Sequence, residues 1–334
     1  MDKTEMLRVG LCPTRSVTSR VGVMYDYGLM LDAYARAGGT PEVFKDSKVS
    51  HLIVHGNKVI GSHLVDGLIL EPVETESGVQ VRLIIKNGVR IERPVHLFFG
   101  VMPEEGVQEI LMHIELQDGS GLDLLAYYVF PNAVKVLHRM AAEIDVGNDA
   151  SCAYNEVHFH GENGGIEANA RAKIRIGNNS RLVTHFTLLR ERVGQLDMDY
   201  DPQVLDGSSL EMTARVYGSG ADQIRIREAA RLLGERARCL IKTRIAVKGE
   251  AKSEVYNELT ASARGARGHM DCVEIVQGQA EATAVPTVGV THELAKVTHT
   301  AAIGRVDQKQ VKALMAKGLE EEGAIDLVIG GMLK

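Results

Sequence analysis

The sequence predicts a mainly β protein: a long ladder of short strands, preceded by an N-terminal α/β region and followed by a C-terminal helical segment. Three observations point there. Strand-like segments start near Val95, Glu109, Leu122, His138, Ser151, Gly165, Arg181, Gln195, Leu210, Gln223, Cys239, Ser253, His269, Ala280 and Ala295. Their spacing is even, roughly 11 to 16 residues. Within many segments apolar and polar residues alternate, so that Leu210, Met212, Ala214 and Val216 share one face. Glycine pairs punctuate the ladder at Gly177-Asn178, Gly249-Glu250 and Gly278-Gln279. Even strands with Gly-rich corners suggest a sandwich or a β-helix. The composition agrees: 34 Gly, no Trp, and only 6 Phe and 9 Tyr in 334 residues. Within the later ladder only Glu228 to Arg238 looks helix-prone, so a doubly wound βα sheet is disfavoured.

The elements divide the chain into residues 1–94, 95–304 and 305–334. In the first region Leu7 to Leu11 reads as a strand. Tyr27 to Ala37 reads as a helix, closed by Gly38-Gly39 as a left-handed cap. His51 to Gly61 reads as a hairpin turning at Gly56-Asn57. The ladder fills the second region. In the third, Asp307 caps a helix with Gln310 reaching back, and Val311, Leu314 and Met315 form its apolar face. Lys317-Gly318 closes it. A second helix follows Glu320, with acids in its first turn and a stripe of Ile325, Val328 and Ile329. A helix pair here suits a cap on an open ladder.

Charge and cysteine usage narrow the function. A net charge of −6 argues against a nucleic-acid partner, which needs a basic footprint. No run of 18 apolar residues is present, and the charged start Met1-Asp-Lys-Thr-Glu-Met lacks an apolar leader, so neither a membrane span nor secretion is expected. Cys12, Cys152, Cys239 and Cys272 are widely spaced without a CxxC pair, which fits a reducing cytoplasm better than a disulfide framework. No phosphate-binding P-loop, dinucleotide fingerprint or nucleophile elbow occurs. Any nucleotide chemistry therefore belongs to a partner.

Cys272 and His299 are the principal metal candidates. Each sits on a strand-like stretch, with another such stretch between, so stacked rungs can bring them close. Thiolate and imidazole together suit iron or zinc; the alternative is a buried cysteine and a satisfied histidine. His158 and His160 share one strand face and could bind a metal, but without a third ligand they read as rings stacked along a rung. Asp197, Asp199 and Asp201 also share a face, and read as a solvated surface rather than a calcium cage. Cys152 and Cys12 have no partner in sequence.

The string from His299-Thr-Ala-Ala-Ile-Gly-Arg-Val-Asp to Ile329-Gly-Gly-Met332 resembles the C-terminal signature of the SufB and SufD family, the scaffold proteins of SUF iron–sulfur cluster assembly. Gly268-His-Met-Asp-Cys272 resembles the segment that holds a functional cysteine in SufB. Tyr154-Asn-Glu-Val-His-Phe-His-Gly161 is similar to the compact archaeal, SmsB-like members. The resemblance covers roughly residues 65 to 334. It implies a right-handed parallel β-helix with two segments per coil of ~28 residues. It also implies a bound iron–sulfur cluster and a SufC-like ABC ATPase docked on the C-terminal helices. Pairing with itself or a SufB/SufD paralogue through the ladder, a homodimer in the simplest case, follows from the same resemblance. SufB has a Glu after the His; here Thr300 stands there. That departure should make the site more labile, or shift a ligand role to Glu293 or Cys239. Otherwise Glu293 reads as a solvated turn residue and Cys239, beside Leu240 and Ile241, as a small buried hydrophobe.

The expectation is a non-enzymatic scaffold that assembles or transfers a cluster. Its rivals are a SufD-like structural partner without a cluster, and a β-helical polysaccharide-active enzyme. The scarcity of aromatic platforms counts against the latter.

Overall fold

The computed structural model describes residues 17–333, with side chains from residue 26 onward. The strand expected over Leu7 to Leu11, and Cys12, lie outside the described residues. Helix α1 spans Val17–Arg36 and gives way at Gly38, whose φ of 97° is the left-handed conformation expected of a cap glycine. Strands β1 (His51–His55) and β2 (Lys58–His63) form the expected antiparallel hairpin. Strands β3 (Leu68–Glu74) and β4 (Gly78–Ile85) form a second one.

The ladder then runs through β5 (Val95–Gly100), β6 (Glu105–Leu116), β7 (Gly121–Val129), β8 (Lys135–Val146) and β9 (Ser151–Phe159). It continues through β10 (Ile166–Ile176), β11 (Arg181–Leu188), β12 (Gln195–Val204), β13 (Ser209–Gly218) and β14 (Gln223–Leu232). It ends with β15 (Arg238–Gly249), β16 (Lys252–Ala261), β17 (Arg267–Gly278), β18 (Glu281–Val290) and β19 (Lys296–Gly304). Successive strands alternate between two sheets. One has ten strands in the order β19-β17-β15-β13-β11-β9-β7-β5-β1-β2; the other has nine in the order β18-β16-β14-β12-β10-β8-β6-β4-β3. From β5 onward every pairing is parallel and joins strands two apart in sequence. This is a parallel β-solenoid of about eight turns. Ala168 is in register with Leu196, Leu196 with Ile224, and Ile224 with Ser253, so a coil takes 28 or 29 residues there.

Two sequence expectations change. The ladder starts earlier than Val95, because β1 pairs in parallel with β5 and β4 with β6. The helix-prone run Glu228 to Arg238 is instead the second half of β14, a turn, and the start of β15. Its Ala, Leu and Arg favour helix locally. But β14 lies between β12 and β16, and Ile224, Ile226, Glu228, Ala230 and Leu232 alternate into the interior. Tertiary pairing overrides propensity.

Inward files stack directly on one another and form one continuous core from Leu52 to Ala280. Each buried Leu or Ile there contributes roughly 1.5–3 kcal/mol by leaving water. The outward files are charged. Asp197 meets Arg171 at 2.7 Å, Asp199 meets Arg227 at 2.8 Å, and Asp201 meets Arg231 at 2.7 Å. The three carboxylates are thus a solvated, ion-paired face, each pair contributing about 0–1 kcal/mol.

One corner is knitted by side chains. Asp118 Oδ1 accepts the Asn148 N–H at 2.7 Å, and Asn148 Oδ1 accepts that of Asn178 at 2.9 Å. Asn178 Oδ1 accepts the Asp206 N–H at 3.1 Å, and Asp206 Oδ1 accepts that of Glu235 at 2.7 Å. The residues just after two of these, Asp149 and Asn179, take φ of 54° and 55°, which Asp and Asn tolerate better than most side chains.

Both flanks rest on the outer face of the ten-stranded sheet. Tyr34 of α1 lies 4.4 Å from the Tyr127 ring and 5.0 Å from Phe98, with Phe44 and Phe159 in the same cluster. At the other end come α2 (Gln308–Met315) and α3 (Glu321–Met332). Asp307 caps α2 by accepting the Lys309 N–H at 2.9 Å. Val306, Val311, Ala324, Ile329 and Leu333 pack on Tyr217, Ala246 and Ile275. Asp326 accepts from Tyr217 at 2.7 Å, and Lys248 reaches Glu322 at 2.6 Å. Met315, expected on the apolar face of α2, is 40% exposed, and Leu327 of α3 is 55% exposed.

Candidate functional site

The parallel stacking brings the two principal candidates onto neighbouring rungs. Cys272 lies in β17 and His299 in β19, the last strand of its sheet. His299 is in register with Met270, and Cys272 with Ala301. Both therefore belong to inward files, as diagonal neighbours with Cα atoms about 8 Å apart on rung spacing alone. Cys272 is buried; His299 is exposed, because no rung follows β19 to cover it. Burial pushes the Cys272 thiol up to about 12, with the nearby Glu274 carboxyl adding to the effect. The thiol is thus protonated at neutral pH, and a metal would have to displace that proton.

The other candidates do not converge on it. Cys239 lies in β15, in register with Gly268, while the β15 partner of Cys272 is Thr243. The two Cα atoms are separated by one rung and four residues, roughly 14 Å on strand geometry alone. Burial raises the Cys239 thiol further, and it sits in the core as a small hydrophobe. Glu293 occupies the exposed turn between β18 and β19. Thr300 is in register with Asp271 and so lies on the outward face. Cys152, Cys239 and Cys272 are all free thiols. Among the described residues no three His, Cys, Asp or Glu side chains are gathered as an ion would need.

Sequence reasoning missed Glu274. It is fully buried in β17, two residues beyond Cys272 on the same face, with Oε1 4.0 Å from the Cys272 sulfur. Ser253 Oγ donates to its other oxygen at 2.5 Å. Burial raises its pKa. The signal was available, since the spacing Cys272-x-Glu274 in a strand puts both on one face. Two more inward carboxyls lie deeper. Glu228 accepts from Thr243 Oγ1 at 2.9 Å, and Glu156 accepts from Tyr154 at 2.9 Å and from Tyr200. Burial raises both to about 7.

His158 and His160 share a face as expected, and stack among aromatic rings. His158 lies 4.7 Å from Tyr128 and 4.7 Å from Phe186. A third histidine, His138, joins them from the opposite sheet, 6.3 Å from His158. All three are buried and their pKa values fall through loss of solvation, to about 3 for His138 and about 4 for His160. They are neutral core rings.

Among the described residues nothing covers the last rung of the solenoid. Val288, Val290 and Ile303 belong to inward files, yet are 45%, 48% and 49% exposed. Among the described residues no helix is long and apolar enough to cross a membrane.

Comparison with known proteins agrees with this architecture. Residues 101–332 match the family model described as "SUF system FeS cluster assembly, SufBD core domain". An iron-sulfur cluster assembly SufBD family protein of Methanocaldococcus jannaschii is 33% identical over 304 residues, 91% of this chain and 96% of the relative. One from Pyrococcus horikoshii is 30% identical over 318 residues, 95% of this chain and 97% of the relative. A more distant one from Archaeoglobus fulgidus is 22% identical over 256 residues, 74% and 66% of the two chains.

Proposed function

Because the chain belongs to the SufBD family of iron–sulfur cluster assembly proteins, we propose that it is a non-enzymatic cytoplasmic scaffold on which a cluster is held as cargo. One observation carries this reading: Cys272 lies one rung beneath the uncovered end of the solenoid, with His299 diagonal to it on the last rung. A thiolate is the usual ligand of an iron–sulfur cluster, and an imidazole can replace one. Ala301, the residue stacked on Cys272, is the smallest side chain its file could place there apart from glycine, so the thiol is shallow despite its burial. The expected result is that Cys272→Ser, reconstituted anaerobically with ferrous iron and sulfide, loses its iron and the visible charge-transfer absorbance. Cys12→Ser retains both. Equal iron and sulfide in wild type and Cys272→Ser would favour the second reading, a SufD-like structural partner, which Thr300 supports.

Two exposed apolar surfaces support the partners proposed here. The last rung leaves Val288, Val290 and Ile303 open, and a second copy or a paralogue seated there continues the ladder and covers them. The helix pair presents Met315 and Leu327 outward, a docking surface for an ABC-type ATPase. The Tyr217, Lys248 and Asp326 contacts fix that pair to the same sheet that carries Cys272. Deleting residues 305–334 is expected to abolish co-elution with the ATPase while the protein still elutes as a dimer. Unchanged ATPase binding would make the helices only a cover, and a monomeric full-length chain would refute pairing through the last rung.

A further inference from the structure

We propose that Glu274 is an iron ligand, its carboxylate and the Cys272 thiolate together holding one iron at the end of the solenoid. The proposal deepens the reading of Cys272 as the cargo-binding thiol and rests on it. The first support is the break in the inward file. Glu274 is in register with Ile245 on one side and Ile303 on the other, so a carboxyl stands where the stack otherwise places Ile. Burying a carboxyl in such a file is costly unless something compensates it.

The second support is geometry. Oε1 of Glu274 lies 4.0 Å from the Cys272 sulfur. Sulfur and oxygen bound to one tetrahedral ion, at about 2.3 and 2.1 Å, are roughly 3.6 Å apart. A small side-chain rotation closes that difference. Both residues sit on one rigid strand, paired on both sides by β15 and β19.

The third is orientation. Ser253, reaching across the interior from the other sheet, donates to Oε2 at 2.5 Å. That bond fixes the carboxylate plane and leaves Oε1 directed at the sulfur. A ligating carboxylate that is itself held by an outer hydrogen bond is the usual arrangement around a metal. The mixed sulfur and oxygen pair is one that iron accepts. Neither Thr300, on the outward face, nor Glu293, in the turn, offers an oxygen on this face.

The test uses the full chain and cobalt(II) as a spectroscopic stand-in for ferrous iron, titrated anaerobically. Wild type is expected to show a thiolate-to-cobalt charge-transfer band with d–d bands of a mixed sulfur–oxygen site. Glu274→Gln keeps the shape and is expected to weaken binding by at least about 100-fold and to shift the d–d bands. Ser253→Ala is expected to weaken it by about 10-fold, as loss of an outer partner does. Cys272→Ser should lose the charge-transfer band. Wild-type affinity and d–d bands in Glu274→Gln, with the band lost in Cys272→Ser, would overturn the proposal while leaving Cys272 in place. A band unchanged in Cys272→Ser would overturn both. If Glu274→Gln does not fold, unchanged affinity in Ser253→Ala overturns the proposal by itself.

Discussion

Asp222→Ala is expected to destabilise the protein by about 3–5 kcal/mol, read from the urea midpoint or the thermal midpoint. The Asp222 side chain is wholly buried at the corner between β13 and β14. Its Oδ1 accepts from Arg192 Nε at 2.9 Å and from the Gly194 N–H at 3.0 Å. Its Oδ2 accepts from the Val193 N–H at 2.9 Å and the Ser219 N–H at 2.8 Å. One carboxylate thus ties the turn before β12 to the turn before β14. Removing it leaves three backbone donors and a guanidinium without their acceptor, and each buried orphan costs about 1–3 kcal/mol. Asp222→Asn turns one acceptor into a donor facing other donors, and should recover little. A loss below about 1 kcal/mol for the Ala variant would mean that water replaces the carboxylate.

Acid is expected to unfold the protein along a bent curve: shallow from pH 7 to about 5.5, then steep. The buried groups set both parts. His96, His138, His158 and His160 have folded pKa values depressed by burial, to about 4, 3 and 4 for the first, second and fourth. Unfolded, each takes a proton near 6.5, so each removes about 1.4 kcal/mol of stability per pH unit below that. Glu156 and Glu228 act with the opposite sign. Their folded pKa is raised to about 7, so the folded state keeps protons that the unfolded chain loses above about 4.5. Lowering the pH from 7 toward 5.5 therefore gains from two carboxyls most of what four histidines lose. Below about 5 the unfolded carboxyls protonate too, their gain stops, and the histidine loss of several kcal/mol runs alone. Glu156→Gln takes one carboxyl out, and its decline should begin closer to pH 6.5. Thermal midpoints measured across this range decide the matter. A decline that begins at the same pH in wild type and Glu156→Gln would show that Glu156 does not hold its proton in the fold.

The strands were legible because each rung obeys the same local rules. Alternation marks the two faces, and Gly, Asn and Asp mark the corners. Within the ladder from Val95 to Ala295 no expected strand start differs from the observed one by more than four residues, the largest gap being Glu109 against Glu105. The misses have physical causes. Glu228 to Arg238 carries helix formers, but its neighbours in the sheet decide. The antiparallel start at β1 to β4 looks like an independent α/β unit because hairpins are local, while the parallel pairings β1 with β5 and β4 with β6 are not. Cys272 and His299 could be placed on neighbouring rungs by counting one coil. That Glu274 faces the same sulfur needed only the two-residue period, but what holds it, Ser253 from the other sheet, is visible only in three dimensions.

The knitted corner gives the solenoid the arithmetic of a crystal. Asp118, Asn148, Asn178 and Asp206 each hand one oxygen forward to the coil that follows, so every layer is a template for the next. Whole layers can be added or removed without inventing a new contact, and the distance from the α1 end to the Cys272 end changes by one rung spacing, about 4.8 Å, each time. A single residue gained or lost within a strand is a dislocation instead. It turns every later side chain of that strand to the opposite face. In β17 such a fault would carry Cys272 and Glu274 outward together and bring Asp271 and Val273 into their places.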